Sequence, residues 1–516
     1  MKLVLSTKVL IYCALFGVVI VIVGLVLGYR IFPIVVNKKV WENTILQEKT
    51  PQWDLFMKVP FPFQVKVYFF DIQNVNEILQ GAKPIVKEVG PYVYKLFRWK
   101  DGIEWNSDEI SYYDYMKFEF DQNASGKLSD EDAVTILNSP FNALLLAVEE
   151  MSPSALETVN DALPQIFNKY NGLFVSSKVK DLLFEGIIIC ENGGEGDFAA
   201  QMICDQFKAK AKIAKGMTIV NKSINYSYLR FKNNTHLGRL TIKSGMKEKE
   251  DISTLVKYNN EIRVSVWRNK NSVCNEIKST TTFRPYVTPR MTFDVFSEDI
   301  CRRLKMAYQS TEIVKGIEGY KYVMTNDSFN APQDNSENYC YCVNRSRTLN
   351  GDYGCLSDGV LDMTNCVGAP VLLSFPHLLY GDKEYLSTVQ GLSPNPKLHE
   401  TFVILEPTSG APLKVAKRVQ FNMFIRAVED IVSIENVSNA LVPIFWLEEV
   451  RNILFVIYFS RNFALLQSVT LDDQYIDLIK TTLLNNLRIL EIIKWGLIGL
   501  GTATVVIPTA LIIYKN

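Results

Sequence analysis

The sequence is poor in histidine and carries no excess charge of either sign. Three histidines occur in 516 residues, and 55 Lys and Arg residues balance 55 Asp and Glu residues. A balanced charge does not favour a polyanion such as nucleic acid as a partner. The histidines, His236, His377 and His399, lie far apart with no supporting spacing. We therefore predict no metal site from them, and we expect His377 to be a structural, hydrogen-bonded side chain.

Motifs of the common enzyme classes are also missing. The chain has no Gly-x-Ser-x-Gly, no His-Glu-x-x-His and no phosphate-binding Gly-rich loop. The stretch ENGGEGDF at 191–198 predicts a turn, because no strand–helix context of a dinucleotide site surrounds it. We therefore expect no enzyme and no cofactor, and an ectoenzyme is the alternative that the sequence supports least.

Two stretches lack charge altogether. They are VLIYCALFGVVIVIVGLVLGY at 9–29 and WGLIGLGTATVVIPTALIIY at 495–514. About 20 apolar residues are needed to cross the hydrocarbon core, so both predict transmembrane helices. For the first stretch a cleaved signal peptide is the alternative, although the apolar core of such peptides is usually about 7–15 residues long. For the second, the alternatives are a buried core helix and a lipid-anchor signal.

Orientation in the membrane is indicated by glycosylation sequons rather than by basic residues. Basic residues beside the spans do not favour cytosolic tails, because they are more numerous on the inner side, between the spans. They are Arg30, Lys38, Lys39, Arg488 and Lys494 there, against Lys2, Lys8 and Lys515 at the tails. Sequons mark exposed loops in the secretory pathway. They lie between the spans, at Asn123, Asn221, Asn225, Asn233, Asn326, Asn344 and Asn436. We predict a two-pass protein of the plasma membrane, with cytosolic tails at 1–8 and 515–516 and an extracellular or luminal domain at 30–494.

Cysteines are concentrated between the spans. Eight lie there, four of them within the stretch 337–366, and Cys13 lies in the first span. An even number in an oxidising compartment predicts disulfides. A zinc site is the alternative, but it requires His or paired Cys-x-x-Cys spacing. Cys340 and Cys342, with one residue between them, are not expected to pair with each other. The spacing alone leaves the other partners open.

Periodicity predicts a helical segment inserted between strand-rich ones. Helices are expected in SPFNALLLAVEEM, with Ser139 as its cap, and in SPSALETVNDALPQIFNKYNG, SSKVKDLLFEG and GDFAAQMICDQFKAKAKIAKG, together about 138–216. Alternating apolar and polar residues predict antiparallel strands at 63–72, 92–99, 110–120, 261–268, 401–407 and 413–426. The fold class is therefore α+β, with one β-rich domain capped by a helical bundle.

A group of lysines is the sharpest local charge feature. In FKAKAKIAKG at 207–216, Lys208, Lys212 and Lys215 would share one face of a continuous helix, and Lys178 and Lys180 could join them. The ordinary interpretation is a solvated helix face. The alternative is a capture site for an anionic or polar head group or for an acidic carrier protein. The apolar faces of the same helices predict either packing against the barrel or a mouth that admits lipid.

The order of the cysteines at 274, 301, 340, 342, 355 and 366 resembles that of the class B scavenger receptor family. Members of that family also have two membrane spans and short tails. Similar stretches occur along the chain, in KPIVKEVGPYVYK (83–95), SFPHLLYGDKEYLSTVQGLSPNPKLHE (374–400) and LEPTSGAPLKVAKRVQFNM (405–423). Within the family, residues 182–207 and NYCYC at 338–342 are similar to the sensory neuron membrane proteins of insects.

This resemblance implies a structural framework. It implies a large antiparallel β-barrel-like domain with an internal hydrophobic tunnel, a helical apex far from the membrane and a disulfide-rich region at 274–366. The implied disulfides are Cys274–Cys340, Cys301–Cys366, Cys342–Cys355 and an additional pair, Cys190–Cys204.

The resemblance also implies a function. A non-enzymatic receptor or co-receptor would take up a lipid-like ligand, such as a fatty-acid-derived pheromone, at the apex. It would pass the ligand to the membrane or to a neighbouring odorant receptor channel, and a ligand-carrier protein is a second candidate partner. The alternative is a general scavenger receptor for lipids, lipoproteins or apoptotic cells. A lysosomal membrane protein that escorts an enzyme is a third possibility, which the short stretch after Tyr514 does not favour.

Overall fold

The computed structural model describes residues 6–59, 62–342, 346–451 and 479–515. Its α-helices are α1 (Thr7–Val26), α2 (Phe32–Glu42), α3 (Pro51–Met57), α4 (Val75–Ile78), α5 (Gln122–Ser125), α6 (Ser139–Met151), α7 (Leu156–Phe167), α8 (Phe198–Lys210), α9 (Thr364–Val367), α10 (Lys383–Ser387), α11 (Pro396–His399) and α12 (Asn485–Lys515).

Nineteen strands make up the described β-structure. They are β1 (Phe63–Ile72), β2 (Val86–Asn106), β3 (Glu109–Phe120), β4 (Ala133–Leu137), β5 (Phe174–Lys178), β6 (Ile187–Ile189), β7 (Met217–Val220), β8 (Ser223–Tyr226), β9 (Thr235–Lys243), β10 (Thr254–Tyr258), β11 (Ser279–Thr280), β12 (Thr292–Ser297), β13 (Arg302–Val314), β14 (Ile317–Met324), β15 (Val360–Asp362), β16 (Leu372–Ser374), β17 (Phe402–Leu405), β18 (Pro412–Ile425) and β19 (Ala440–Arg451).

One antiparallel sheet curls into a nearly closed barrel. Its strand order is β11-β10-β9-β3-β2-β1-β19-β18-β17-β14-β13-β12, and β16 attaches β15 to β18. The two edge strands, β11 and β12, lie against each other without a ladder between them. The α+β class and the barrel-like sheet predicted from the sequence are confirmed.

The alternation of apolar and polar residues correctly predicted most of these strands. The range predicted at 63–72 is β1, and the ranges 110–120 and 413–426 agree with β3 and β18 to within a residue. The strand predicted at 261–268 is wrong. There the Asn275 side chain accepts a hydrogen bond from the Trp267 N–H and donates one to the Trp267 carbonyl. These are the backbone groups that would otherwise form hydrogen bonds with a neighbouring strand.

The apex contains the predicted helices α6, α7 and α8 and two small sheets, β4–β5 and β6–β8–β7. Two details of the sequence prediction are wrong. The helix expected in SSKVKDLLFEG is strand β5 followed by a single π-helical turn at Asp181–Glu185, because β5 pairs along its length with β4. Asn138 rather than Ser139 caps α6, and the Ser139 hydroxyl instead lies 2.6 Å from the Tyr228 hydroxyl.

Strands β2 and β3 connect the membrane side of the barrel to the apex. At one end Ile110 packs with Trp41 and Ile242 in a buried cluster. Trp41 lies at the end of α2, which continues the first apolar helix. At the other end the ring of Tyr94 lies 5.0 Å from the ring of Phe184 in the apex. Since a strand rises about 3.3 Å per residue, these two ends are separated by roughly 30 Å of barrel wall.

The terminal helices are long and apolar enough to cross a membrane, and they pack against each other. Glycines lie where the helices approach most closely. A Cβ atom at Gly24 would lie 3.0 Å from the Cβ of Leu497, and one at Gly501 would lie 2.8 Å from the backbone N of Val21. Small residues allow such backbone contact between membrane helices.

Candidate functional site

Eight cysteines form four disulfides in the structure. Three of them cross-link the region 274–366, and the fourth links the residue directly after β6 to helix α8. The pairs are Cys190–Cys204, Cys274–Cys340, Cys301–Cys366 and Cys342–Cys355. Cys13 is unpaired. Within the described part of the chain, no group of three or more His, Cys, Asp or Glu residues could hold a metal ion.

The lysines predicted as a capture group do not form one surface. Helix α8 ends at Lys210, so Lys212 and Lys215 lie beyond it and share no helical face with Lys208. Lys208 pairs with Asp205 at 2.8 Å. Lys212 is exposed, whereas burial lowers the pKa of Lys215, whose backbone N–H donates to the Val367 carbonyl. The prediction of a shared helical face is therefore wrong, because the helix stops one turn too early.

Lys178 and Lys180 lie together on a different part of the apex. Both pair with Glu131, at 2.8 and 2.5 Å. The hydrogen bond from Lys178, together with that from Lys180, lowers the pKa of Glu131. Only Lys180 of these two lines the cavity described next, where Glu185 lies 3.6 Å from its ammonium group.

An open cavity of about 600 Å³ lies where the apex meets the barrel; we call it the apical cavity. Its aromatic walls are Tyr94, Phe118, Phe120 and Phe184, and its polar lining is Asp130, Lys180, Glu185, Arg230, Asn233 and Asn234. The Phe184 ring packs between Tyr94 and Phe118, with ring centroids 5.0 and 5.4 Å away. Burial and the nearby Glu131 carboxylate raise the pKa of Asp130. An apolar wall with a charged rim suits an amphiphile.

The wall of the apical cavity continues along the concave face of the barrel. Phe118 and Asp114 lie on the same face of β3, four residues apart, so Asp114 lies about 13 Å farther from the apex. On β18 and β19 the inward side chains Lys417, Val419, Phe421 and Leu447 are half-buried rather than fully buried. The interior of the barrel along these strands is therefore not completely filled by side chains.

Charged side chains from opposite parts of the barrel meet on this inner face. We call them the ionic cluster; its members are Arg98, Asp114, Lys215, Lys232, Glu298, Asp299, Lys417 and Glu449. Arg98 on β2 lies 2.5 Å from Asp114 and 3.6 Å from Glu449. Asp299, between β12 and β13, lies 2.5 Å from Lys232 and 3.0 Å from Lys417.

Two carboxyl groups of the ionic cluster titrate in opposite directions. Burial, reinforced by Asp114, raises the pKa of Glu298 to about 7. Burial also acts on Asp299, but the ammonium groups of Lys232 and Lys417 outweigh it and hold the pKa of Asp299 well below its usual value. The sequence did not predict this cluster. The available signal was Arg98, a charge that follows Tyr94 and Leu96 on the apolar face of an alternating strand.

Two of the histidines, far apart in sequence, stack on each other beneath the loops that follow β16. The rings of His377 and His399 lie 4.4 Å apart at an angle of 13°. His377 Nδ1 accepts from the Ser393 N–H, so its Nε2 carries the proton and donates to Glu88 at 2.6 Å. Burial, together with His377, lowers the pKa of His399 to about 4. His236 instead packs 4.3 Å from the Tyr113 ring.

The sequons differ in how accessible their side chains are. Asn123, Asn221, Asn326 and Asn436 are exposed. Asn225 donates from Nδ2 to the Glu185 carbonyl, and the Asn233 side chain accepts from the Phe118 N–H. Asn344 lies outside the described residues.

Comparison with known proteins gives consistent matches over nearly the whole chain. A profile of the CD36 family matches residues 15–512. Sensory neuron membrane protein 2 of Drosophila melanogaster is 30% identical over 94% of both chains. Sensory neuron membrane protein 2 of Heliothis virescens is 32% identical over 84% of both chains. Sensory neuron membrane protein 1 of Ostrinia furnacalis is 30% identical over 93% of this chain and 85% of the relative.

These matches agree with the architecture. Two apolar terminal helices flank one large domain, the arrangement of a two-pass protein of the plasma membrane. The resemblance to class B scavenger receptors and to insect sensory neuron membrane proteins is confirmed. Members of this family are membrane-embedded, lipid-binding receptors rather than enzymes. The chain belongs to the CD36 family of class B scavenger receptors.

Proposed function

We propose that this protein is a non-enzymatic receptor or co-receptor that takes up lipid-like ligands at the apical cavity and passes them along the barrel interior toward the membrane. Residues 30–494 form its extracellular domain, with the apex at about 138–216. The observation that carries the proposal is the position of the apical cavity. Its aromatic wall, at Phe118 and Tyr94, lies on the strand faces that line the barrel interior.

The physical advantage of such a route is the avoidance of water. Returning an alkyl chain to water costs about 0.8 kcal/mol per methylene, so a long chain leaves an apolar surface slowly. Half-buried side chains such as Val419 and Phe421 offer an apolar surface inside the barrel, beyond the cavity. A ligand that stays on this surface would not meet the barrier that water imposes.

A chemosensory role is supported by the relatives. The similar proteins are named for the membranes of sensory neurons. We propose fatty-acid-derived pheromones as the ligand class, with an odorant receptor channel beside the barrel and a ligand-carrier protein at the apex as partners. The four disulfides and glycans at the exposed sequons are part of the same proposal, as both are suited to an extracellular domain.

A general scavenger receptor for lipids, lipoproteins or apoptotic cells is the second candidate function. It is favoured by apolar side chains that the apex leaves in solvent. Phe198 and Ile213 are 80% and 82% exposed, and Met202, on the same helix as Phe198, is exposed as well. Such a surface could contact a lipid particle without admitting a single molecule to the cavity.

The cavity can be tested by filling it. Glu185 is exposed and lines the apical cavity, so Glu185→Trp should reduce its volume and slow uptake of a fluorescent fatty acid several-fold in cells that express the protein. Glu195→Trp is the matched control, because Glu195 is an exposed apex residue between β6 and α8 and does not line the cavity. Equal uptake by both variants at equal surface expression would contradict capture in this cavity.

A further inference from the structure

The ionic cluster spans the inside of the barrel. Strands β17, β14 and β13 separate β18 from β12 in the sheet, yet Lys417 on β18 contacts Asp299 in the turn after β12. The same carboxylate contacts Lys232, which precedes β9 near the other edge of the sheet. A contact of this kind crosses the concave face, so the cluster lies inside the barrel, farther from the apex than the aromatic wall of the apical cavity.

Most of the charges in the cluster are compensated by direct pairs. Arg98 is shared by Asp114 and Glu449, and Asp299 is shared by two lysines. The Glu298 carboxyl and the Lys215 ammonium differ from the others. Neither forms an ion pair among the described residues, although Lys215 Nζ lies 3.4 Å from the backbone carbonyl oxygen of Glu298. Lys215 Nζ also lies 4.0 Å from Cys366 Sγ, a weak acceptor. Both groups therefore have capacity for a charged partner that the described residues do not supply.

The balance of charge indicates the sign of that partner. Four basic and four acidic groups make up the cluster, so it is neutral only when Glu298 is ionised. The groups around Glu298 are Arg98, Tyr112, Asp114, Lys215, Tyr258, Asp299 and Lys417. Burial and the Asp114 carboxylate favour its neutral form up to about pH 7, as its pKa is raised to that value. In that form the cluster carries one uncompensated positive charge.

We propose that the region around Glu298 and Lys215 is a binding site, inside the barrel, for the single carboxylate head group of an alkyl amphiphile. The inference rests on the proposed function, because the ligand must enter the barrel to reach it. The Lys215 ammonium pairs with the carboxylate, and the neutral Glu298 carboxyl donates a hydrogen bond to it. The alkyl chain lies along half-buried apolar side chains of β18 on the apex side of Lys417, of which Val419 is the first. Charge-assisted hydrogen bonds make such a site selective for an anion over an alcohol.

Binding of labelled dodecanoate to full-length protein in nanodiscs tests the site, with empty nanodiscs as background. Lys215→Gln should weaken binding about tenfold or more, because it removes a charge-assisted bond. Lys212→Gln is the matched control, since Lys212 is exposed in the same loop. Dodecanol should bind equally to all three proteins. Loss of dodecanol binding by Lys215→Gln would indicate a general disruption of the barrel, and equal dodecanoate affinity in all three would overturn the proposal.

A second variant should act in the opposite direction, which misfolding cannot imitate. Wild-type protein should bind dodecanoate more weakly at about pH 8 than at about pH 6, because Glu298 ionises between them. Glu298→Gln stays neutral, so it should bind about tenfold more tightly than wild type at about pH 8 and equally at about pH 6. Dodecyl sulfonate, whose head group does not titrate here, should show the same pattern. A pH dependence that survives in Glu298→Gln would overturn the proposal.

These measurements are separable from the test of the proposed function. Binding in nanodiscs does not require transfer to the membrane. If transfer proves not to use the barrel while dodecanoate binding still depends on Lys215, the site stands and the conduit is wrong. If transfer uses the barrel while both variants bind as wild type does, the conduit stands and the head-group site is wrong.

Discussion

The side chain of Lys417 lies 3.0 Å from that of Asp299, although three strands of the sheet separate the elements that carry them. Their contact joins the middle of the sheet to its edge across the concave face. Lys232, which precedes β9 near the opposite edge, contacts the same carboxylate. One acidic side chain therefore links parts of the barrel that are not direct neighbours in the sheet.

Removing the charge of Asp299 should weaken the fold measurably. Asp299→Asn leaves Lys232 and Lys417 without their shared anion, so we expect the free energy of unfolding to fall by about 1–3 kcal/mol. The control is Asp205→Asn, because the pair between Asp205 and Lys208 is exposed and should contribute less than about 1 kcal/mol. Denaturant unfolding of the purified protein measures both, and equal stability of the two variants would refute the structural role of Asp299.

The packing of α1 on α12 should depend on which glycine is replaced. Gly24→Leu places a side chain against Leu497 and should separate the two helices, lowering the thermal midpoint of the detergent-solubilised protein by several degrees. Gly499→Leu is the matched control, because among the described residues a Cβ there would meet nothing within 4 Å beyond its chain neighbours and the backbone of its own helix. If both variants lower the midpoint equally, the helices do not pack through this glycine face.

Thiol labelling checks the disulfide framework. With four disulfides, alkylation of denatured and unreduced protein should label one thiol, that of Cys13. The change Cys190→Ser together with Cys204→Ser should make the apex sensitive to protease first, since a disulfide typically contributes about 2–4 kcal/mol. Several labelled thiols in the wild-type protein, or bound zinc, would exclude this framework.

The buried histidine stack predicts a loss of stability in acid. His399 stays neutral in the folded protein down to its pKa of about 4, whereas in the unfolded chain it takes up a proton below about pH 6.5. Folding stability is therefore fully present above about pH 6.5 and falls as the pH drops toward 4, by up to roughly 3 kcal/mol. His399→Gln should lose less stability between about pH 7 and about pH 4.5 in urea unfolding. An identical loss in both proteins would show that His399 is not the cause.

Local sequence patterns predicted the fold well where the pattern itself determines the structure. Alternation along FQVKVYFFDI gives β1, and charge-free runs give the two terminal helices. The apex was less predictable, because SSKVKDLLFEG becomes a strand only through pairing with β4. The prediction of a lysine group assumed that one helix continues to Lys215. This was wrong, because the helix ends at Lys210.

The ionic cluster could not be predicted, since its members come from seven different elements or loops. Arg98 and Asp299 are 201 positions apart along the chain by their numbers, and only closure of the barrel brings their surroundings together. The same applies to the stack of His377 on His399, since the sequence suggested a structural role for His377 but no partner. Local patterns predict which face of a helix or strand is buried, whereas these contacts depend on how elements distant in sequence pack together.

Passage through the barrel interior is the central claim, and a removable plug tests it most directly. Val419→Cys places a thiol on the inward face of β18 in a protein whose other free cysteine is first removed by Cys13→Ser. Lys414→Cys, exposed near the start of the same strand, is the matched control. Both variants are labelled with a bulky maleimide, or with a disulfide-linked plug that a mild reductant releases, and delivery of fluorescent fatty acid to the membrane is measured at equal surface expression. The account predicts that labelling Val419→Cys abolishes delivery, that release of the plug restores it, and that labelling Lys414→Cys has no effect. Delivery at the normal rate by fully labelled Val419→Cys would contradict it and leave a receptor that only binds its ligand at the apex.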